Sequence, residues 1–430
     1  MNAAYVEAYN LTAVRSFFSG FARYLIYFLI IFTPLARGSE YQWAVIIIHF
    51  VTLLALTSVL IQKSLLWDWR SPQVVLNKPI AVLLIIVFGA TGFSQIPYVS
   101  LWPAVLFGNY IILFYLVIDS VTIRAHLRQL VYVIISVAVF LTIVGLLKVS
   151  GHNPFPWWNY AQSTLNIDLA AASSTFGNPN RLAGYMEMAL PLTFGMFFIG
   201  YKGGKRFLIV YLSLIMLIVL IFTRSRGALI STMLSMTLVT VLYLRNYPKH
   251  RFKLIAAFMG GLFFISFIIL FDKNVVEEFK TLKSVQSDTS LISRLTLWKN
   301  LAEMIRDYPV LGTGPGTFST MFTQYQPAGF QVRFYRAHND YLEFITEVGI
   351  LLAGVYLWMI VLFFKRGLKK IRHPSRLVRG TTLGAMTGVT AMLIHSIADF
   401  NLQIPANAVL FTILVAIVVA RSPRSSASNL

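Results

Sequence analysis

Apolar residues run along this chain in blocks of roughly 18 to 22, the length a helix needs to cross a hydrocarbon core about 30 Å thick. The blocks fall near residues 21–36, 41–61, 78–95, 100–118, 128–149, 182–200, 206–223, 226–244, 252–271, 338–363, 377–396 and 401–420. They predict an all-α polytopic membrane protein of about twelve transmembrane helices, with both termini on one side. A soluble chain would instead alternate polar and apolar residues at helical or strand period.

Charge decides which side is which. With the termini in the cytoplasm, the cytoplasmic segments hold 23 lysines and arginines and the short outer segments hold 5. The 66-residue segment 272–337 holds 8 more, but long loops escape the positive-inside rule. This bias predicts an outer, extracytoplasmic working surface built from two long loops, 150–181 and 272–337. In the second, Trp298, Leu301, Ala302 and Ile305 recur at amphipathic-helix spacing, as do Phe318, Met321, Phe322 and Tyr325. Between them lies Pro309-Val-Leu-Gly-Thr-Gly-Pro-Gly316, a breaker. Two surface helices joined by a glycine turn are expected there. No repeat and no appended soluble domain is evident, so residues 1–430 read as one domain.

Composition agrees: 57% of residues are hydrophobic and 12% charged, against about a quarter charged in soluble domains. A net charge of +20 in a soluble protein would point to nucleic acid. Here the charge lies on the cytoplasmic side, so its partners are anionic membrane lipids and no nucleic acid is expected. The chain has no cysteine, hence no disulfide and no thiolate metal site. No small-residue cleavage site follows the first apolar block, which should stay as a helix.

Ionisable groups at the bilayer edge are costly and so are functional candidates. Arg224 and Arg226 share a turn a few residues long, Arg181 opens the sixth span and Arg294 lies on the first surface helix. Two arginines in one short outer turn suggest a compensating anion, and arginine grips phosphate with two parallel hydrogen bonds. Lipid headgroups or structural ion pairs are the plainer alternative. Of seven histidines, His152, His338 and His395 fall outside. His338 follows Arg333 and Arg336, whose charges favour the neutral imidazole a general base needs. It could equally cap the helix it opens, as could Asn339 or Asp340. Asn180 in the turn before the sixth span reads as a helix cap. Trp157, Trp158 and Tyr160 offer either a sugar-stacking platform or an interfacial belt. An Asp-x-Asp pair, a Walker loop, a HExxH helix and a Gly-x-Ser-x-Gly elbow are all missing, so no metal site and no cofactor are expected.

Phe176-Gly-Asn-Pro-Asn180, Thr223-x-Ser-Arg-Gly227, Arg294-x-x-x-Trp298, Pro309-x-x-Gly-x-Gly-x-Gly-x-Phe318 and His338-Asn339 occur in that order. Together, over residues 170–400, they resemble the O-antigen ligase family, whose superfamily includes O-antigen polymerases and protein O-oligosaccharyltransferases. Gly349 keeps the family's spacing after His338-Asn339, whereas Leu352 departs from it. The resemblance implies a GT-C-like glycosyltransferase of the bacterial inner membrane, with its site facing the periplasm. Its donor would be a glycan on undecaprenyl diphosphate, and its acceptor a hydroxyl of lipid A–core. It casts His338 as the base and Arg226 and Arg294 as counter-charges to the leaving diphosphate. Arg224, Arg181, Asn180, Asn339 and Trp298 become substrate contacts. Displacement in one step would invert the anomeric centre without a metal. A flippase for lipid-linked sugars would instead place charges deep in its spans.

Overall fold

The computed structural model describes residues 3–155, 171–197, 199–246, 289–326 and 333–424. Among them the chain is helical, with one isolated β-bridge between Ile123 and Arg424. The helices are α1 (Ala3–Leu35), α2 (Gln42–Leu65), α3 (Asn77–Gly92), α4 (Pro97–Ser120), α5 (Arg124–Val149), α6 (Pro179–Phe197), α7 (Gly204–Phe222), α8 (Arg226–Asn246), α9 (Thr289–Asp307), α10 (Asp340–Val348), α11 (Leu351–Lys370), α12 (Arg376–His395) and α13 (Pro405–Val419).

Eight of these are long and apolar enough to cross a membrane: α1 over Ser16–Leu35, α2, α4, α5, α7, α8, α11 and α12. They make this a multi-pass membrane protein. Three more of the expected spans are helices that fall short of that standard. α3 and α13 have 16 and 15 residues, and α6 carries Arg181 and Glu187 within its 19. The expected span 252–271 lies outside the described residues, as do 156–170 and parts of the long loop, 272–288 and 327–332. Exposed Ile46, Phe50, Leu53 and Leu60 on α2 show the kind of face that only hydrocarbon covers without cost.

The expected span 338–363 is not one helix. α10 stops at Val348, Gly349 turns with φ +92°, and α11 starts at Leu351. A Cβ at Gly349 would lie 1.9 Å from the Val310 carbonyl oxygen. The glycine turn 309–316 docks at this break, which only glycine leaves open. The crossing helix is therefore Leu351–Lys370, and α10 is a separate short helix at the site end of the bundle.

α12 is the buried axis of the molecule and packs against α6, α8 and α13. Its glycines at 380, 384 and 388 form a stripe one turn apart. A Cβ at each would lie 2.2, 2.6 and 2.5 Å from the carbonyl oxygens of Gly195, Pro191 and Met188 on α6. Small residues at this spacing let two helices meet backbone to backbone, the contact that replaces hydrophobic driving force inside a bilayer. At the far end from the site, Lys370 Nζ donates to the carbonyls of Ile417 and Ala420, satisfying the C-terminus of α13.

A second, smaller core caps the site end. Leu297, Leu301 and Met304 of α9 pack on Phe318, Met321, Phe322 and Ala337. The first expected surface helix is α9. The second is one helical turn, Phe318–Met321, running into a 3₁₀ turn, Phe322–Gln324. Ala302 faces outward, so the apolar stripe of α9 runs through Leu297, Leu301 and Met304.

Candidate active site

His338 sits on a short extended segment that is fixed on several sides. Trp298 Nε1 donates to the Ala337 carbonyl at 2.9 Å. The Ala337 amide donates to Glu343 Oε2 at 2.8 Å, and Arg336 Nη1 donates to Glu343 Oε1 at 2.8 Å. Asn339 is the cap of α10, its side chain accepting from the Leu342 amide at 3.0 Å. Asp340 is fully buried, taking hydrogen bonds from the Ser396 hydroxyl and the Leu402 amide. With both neighbours tied down, His338 takes φ +50°, a strained value for a non-glycine residue. Its Nδ1 is buried, yet its side chain is 37% exposed, so the open edge of the ring is the Nε2 side. The Phe400 ring packs edge-on at 5.0 Å.

Nδ1 faces Asp399 Oδ1 at 3.8 Å. That is longer than a hydrogen bond, but catalytic pairs without substrate are often loose. Asp399 also turns Oδ2 to His395 Nε2, again at 3.8 Å. Burial pushes the Asp399 carboxyl up, but the two histidines outweigh it and hold the group below its ordinary value. His395 Nδ1 in turn lies within hydrogen-bond distance of Glu187 Oε1, at 3.0 Å, and Ser231 donates its hydroxyl to Glu187 Oε2. The glycine stripe explains this meeting. It brings α6 and α12 so close that an acid on one reaches an imidazole on the other. On the α8 side, a Cβ at Gly227 would lie 2.7 Å from His395 Nε2, so the Ser-Arg-Gly turn rests on the same ring.

The arginines converge on this end from separate elements. Arg224 lies in the turn between α7 and α8 with φ +54°, and Arg226 is the first residue of α8. Arg294 Nη1 donates to the Ala398 carbonyl at 2.9 Å, beside Asp399. That bond uses one of five guanidinium N–H groups. Arg181 is ion-paired with Glu40, and both side chains are mostly covered. Burial raises the Glu40 carboxyl, while Arg181, Arg336 and Arg37 pull it down. Asn180 lies in the first turn of α6, and the residue that caps α6 is Asn178, which accepts from the Asn180 amide at 2.9 Å.

The glycine turn is a docking device. The amides of Thr313 and Gly314 donate to the carbonyls of Thr346 and Glu347, and the Phe318 amide donates to Glu347 Oε1 at 3.1 Å. Burial and the nearby Glu343 push the Glu347 carboxyl up to about 8. Against the Asp340–Phe344–Glu347 face of α10 lies an apolar cavity of about 280 Å³, walled by α3, α4, α11 and α13. Among the described residues no lysine, arginine or histidine lines it, which makes it a poor home for a diphosphate.

The fold thus gathers His338, Arg224, Arg226, Arg294 and Trp298 at one end. It gives Asn339 and Trp298 structural bonds and pairs Arg181 with an acid. Sequence reading passed over Asp399 and Glu187 and gave His395 no role beyond a place on the outer side; His395 is buried. The signal was there: Glu187 is a lone acid inside an apolar helix, and His395 and Asp399 stand four apart.

Residues 211–357 match the model of the O-antigen ligase family, which supports the O-antigen ligase superfamily for this chain. The matched segment contains the Arg224–Arg226 turn, Arg294, Trp298 and His338, but not Arg181, Glu187, His395 or Asp399. No curated protein matches the chain.

Proposed function

We propose that this O-antigen ligase relative is itself a ligase, moving O-antigen glycan from undecaprenyl diphosphate to a lipid A–core hydroxyl at the periplasmic face of the inner membrane. The observation that carries the reading is His338: one nitrogen buried toward an ionised carboxylate, the other edge open, with arginines from α8 and α9 at the same end. The open Nε2 takes the proton of the acceptor hydroxyl. The oxygen attacks the anomeric carbon from the side opposite the leaving group, and the C–O bond to the diphosphate breaks with inversion. The proton stays on His338, where Asp399 balances its charge. Arg226 and Arg294, joined by Arg224, meet the charge growing on the diphosphate, the term expected to dominate. Arg181 could join them only by giving up Glu40. No metal takes part in this scheme, so EDTA should leave turnover intact.

Purified protein in proteoliposomes, given the lipid-linked glycan and rough lipopolysaccharide, tests the reading. His338→Ala should still bind donor but transfer about 10²–10⁴-fold more slowly. Turnover of Arg226→Ala should fall, with lysine restoring only part of it. Normal transfer in both variants would remove the proposed base and counter-charge together. Acceptor choice separates ligase from polymerase. If the protein extends a second lipid-linked glycan and leaves lipid A–core untouched, it is the polymerase, and if it only moves donor between leaflets, it is a flippase.

A further inference from the structure

The proposed chemistry uses His338 and Asp399 and leaves a buried pair behind them without a task. His395 is 3% exposed and Glu187 is fully buried, 208 residues apart in sequence. Burying an acid and an imidazole together costs desolvation, and an apolar pair of the same size would serve packing as well or better. The pair is also aimed. His395 Nδ1 is 3.0 Å from Glu187 Oε1, and its Nε2 is 3.8 Å from Asp399 Oδ2. Asn401 Nδ2 stands farther from Nδ1, at 3.3 Å. A neutral imidazole has one N–H and can serve only one of two carboxylates. Facing two ionised acids, one on each nitrogen, His395 satisfies both only when both nitrogens carry hydrogen. Ser231 fixes the other oxygen of Glu187, and Gly227 presses on the ring from α8, so the imidazole has little room to turn away.

We infer that His395, held by Glu187, is a positioning residue. It engages Asp399 Oδ2 as an imidazolium, so that Oδ1 stays turned to His338 Nδ1 and the His338 ring is held with Nε2 toward the acceptor. His395 touches no substrate and acts through His338. The inference rests on the assignment of His338 as base. The charged groups facing His395 are Glu187 from α6, Asp399 from the loop after α12 and Asp340 from α10, with Arg226 opening α8 beside Gly227.

The test uses the full-length protein in proteoliposomes with the lipid-linked glycan and rough lipopolysaccharide. His395→Gln should lower kcat by about 10²-fold, the effect of a ~1 Å misplacement of a catalytic group. The KM for donor should stay close to that of the parent. The acidic limb of the kcat/KM profile reports protonation of the base in the free enzyme. It should move to higher pH, because an Asp399 charge no longer shared with His395 holds the His338 proton more tightly. Glu187→Gln keeps the shape and the acceptor oxygen, which guards against mere misfolding, and should move the limb the same way by less. In a His338→Ala background, His395→Gln should cost almost nothing more, since its effect passes through the missing base. An unmoved limb in both variants, or a His395→Gln loss carried in full into the His338→Ala background, would overturn the inference. Parent-level turnover in His338→Ala would instead remove the base itself, a separate result.

Discussion

Asp399→Asn isolates one charge. Asparagine keeps the shape of the side chain and can still accept the Phe400 amide, which Oδ1 receives at 2.8 Å. What goes is the negative charge facing His338 Nδ1 at 3.8 Å. Two unit charges at that separation interact by about 4 kcal/mol at an effective dielectric near 20. The ring is 37% exposed, and solvent takes a large share. About half, ~2 kcal/mol, should appear as lost stabilisation of the protonated base in the transition state, or ~30-fold in kcat. Initial rates of glycan transfer in proteoliposomes measure this, with donor affinity followed in parallel by native mass spectrometry. Affinity should hold while kcat drops. An Asp399→Asn variant within twofold of the parent at every pH would refute the coupling, and one that loses donor binding equally would move Asp399 into the binding site.

Three further outcomes are expected. Glu347 is raised to about 8 in the folded protein, so its contribution to stability is full below the carboxyl's unfolded value and is lost as pH climbs through the folded one. Stability in detergent should fall between pH ~5 and ~8 by up to about 1.4 kcal/mol per pH unit, seen as a falling melting temperature, and Glu347→Gln should flatten that slope. Arg181→Ala strands a largely covered Glu40 and should destabilise by about 2–3 kcal/mol, most of it restored by adding Glu40→Gln; a double variant no better than the single would show that the pair is not the reason. In this cysteine-free chain, Thr323→Cys should react with a membrane-impermeant thiol reagent in outer-permeabilised cells while Ser71→Cys does not, and the reverse pattern would invert the topology.

The spans were legible because lipid sets a length and an apolarity that residues such as those of α2 and α5 announce one by one. The broken tenth span was not, since the run from Tyr341 to Phe364 is apolar enough overall to hide its acids. Glu343 and Glu347 look like an interruption of a span until Gly349 is seen to turn for the glycine loop. Arg226 and His338 stood out as ionisable groups at span ends, and Arg294 as one on the first surface helix. Asp399 did not, because its meaning depends on two histidines, one of them 61 positions away in sequence. Arg181 shows the converse: its type and place suggested a ligand, while its counter-ion, Glu40, comes from a distant loop that no local pattern connects to it.

The glycine stripe has a consequence for how the protein is made. The backbone seam between α6 and α12 joins segments about two hundred residues apart, and Glu187, His395 and Asp399 meet only once that seam closes. Helices that insert one after another can each be stable in lipid before they associate. The proposed site is therefore incomplete until α12 and the loop after it have been made. Its closure is a long-range step, since α12 must dock on α6 and α8, which precede it in the chain. A shift of one turn along this seam would lose one of its three glycine–carbonyl contacts, so the full match also sets the register of the site.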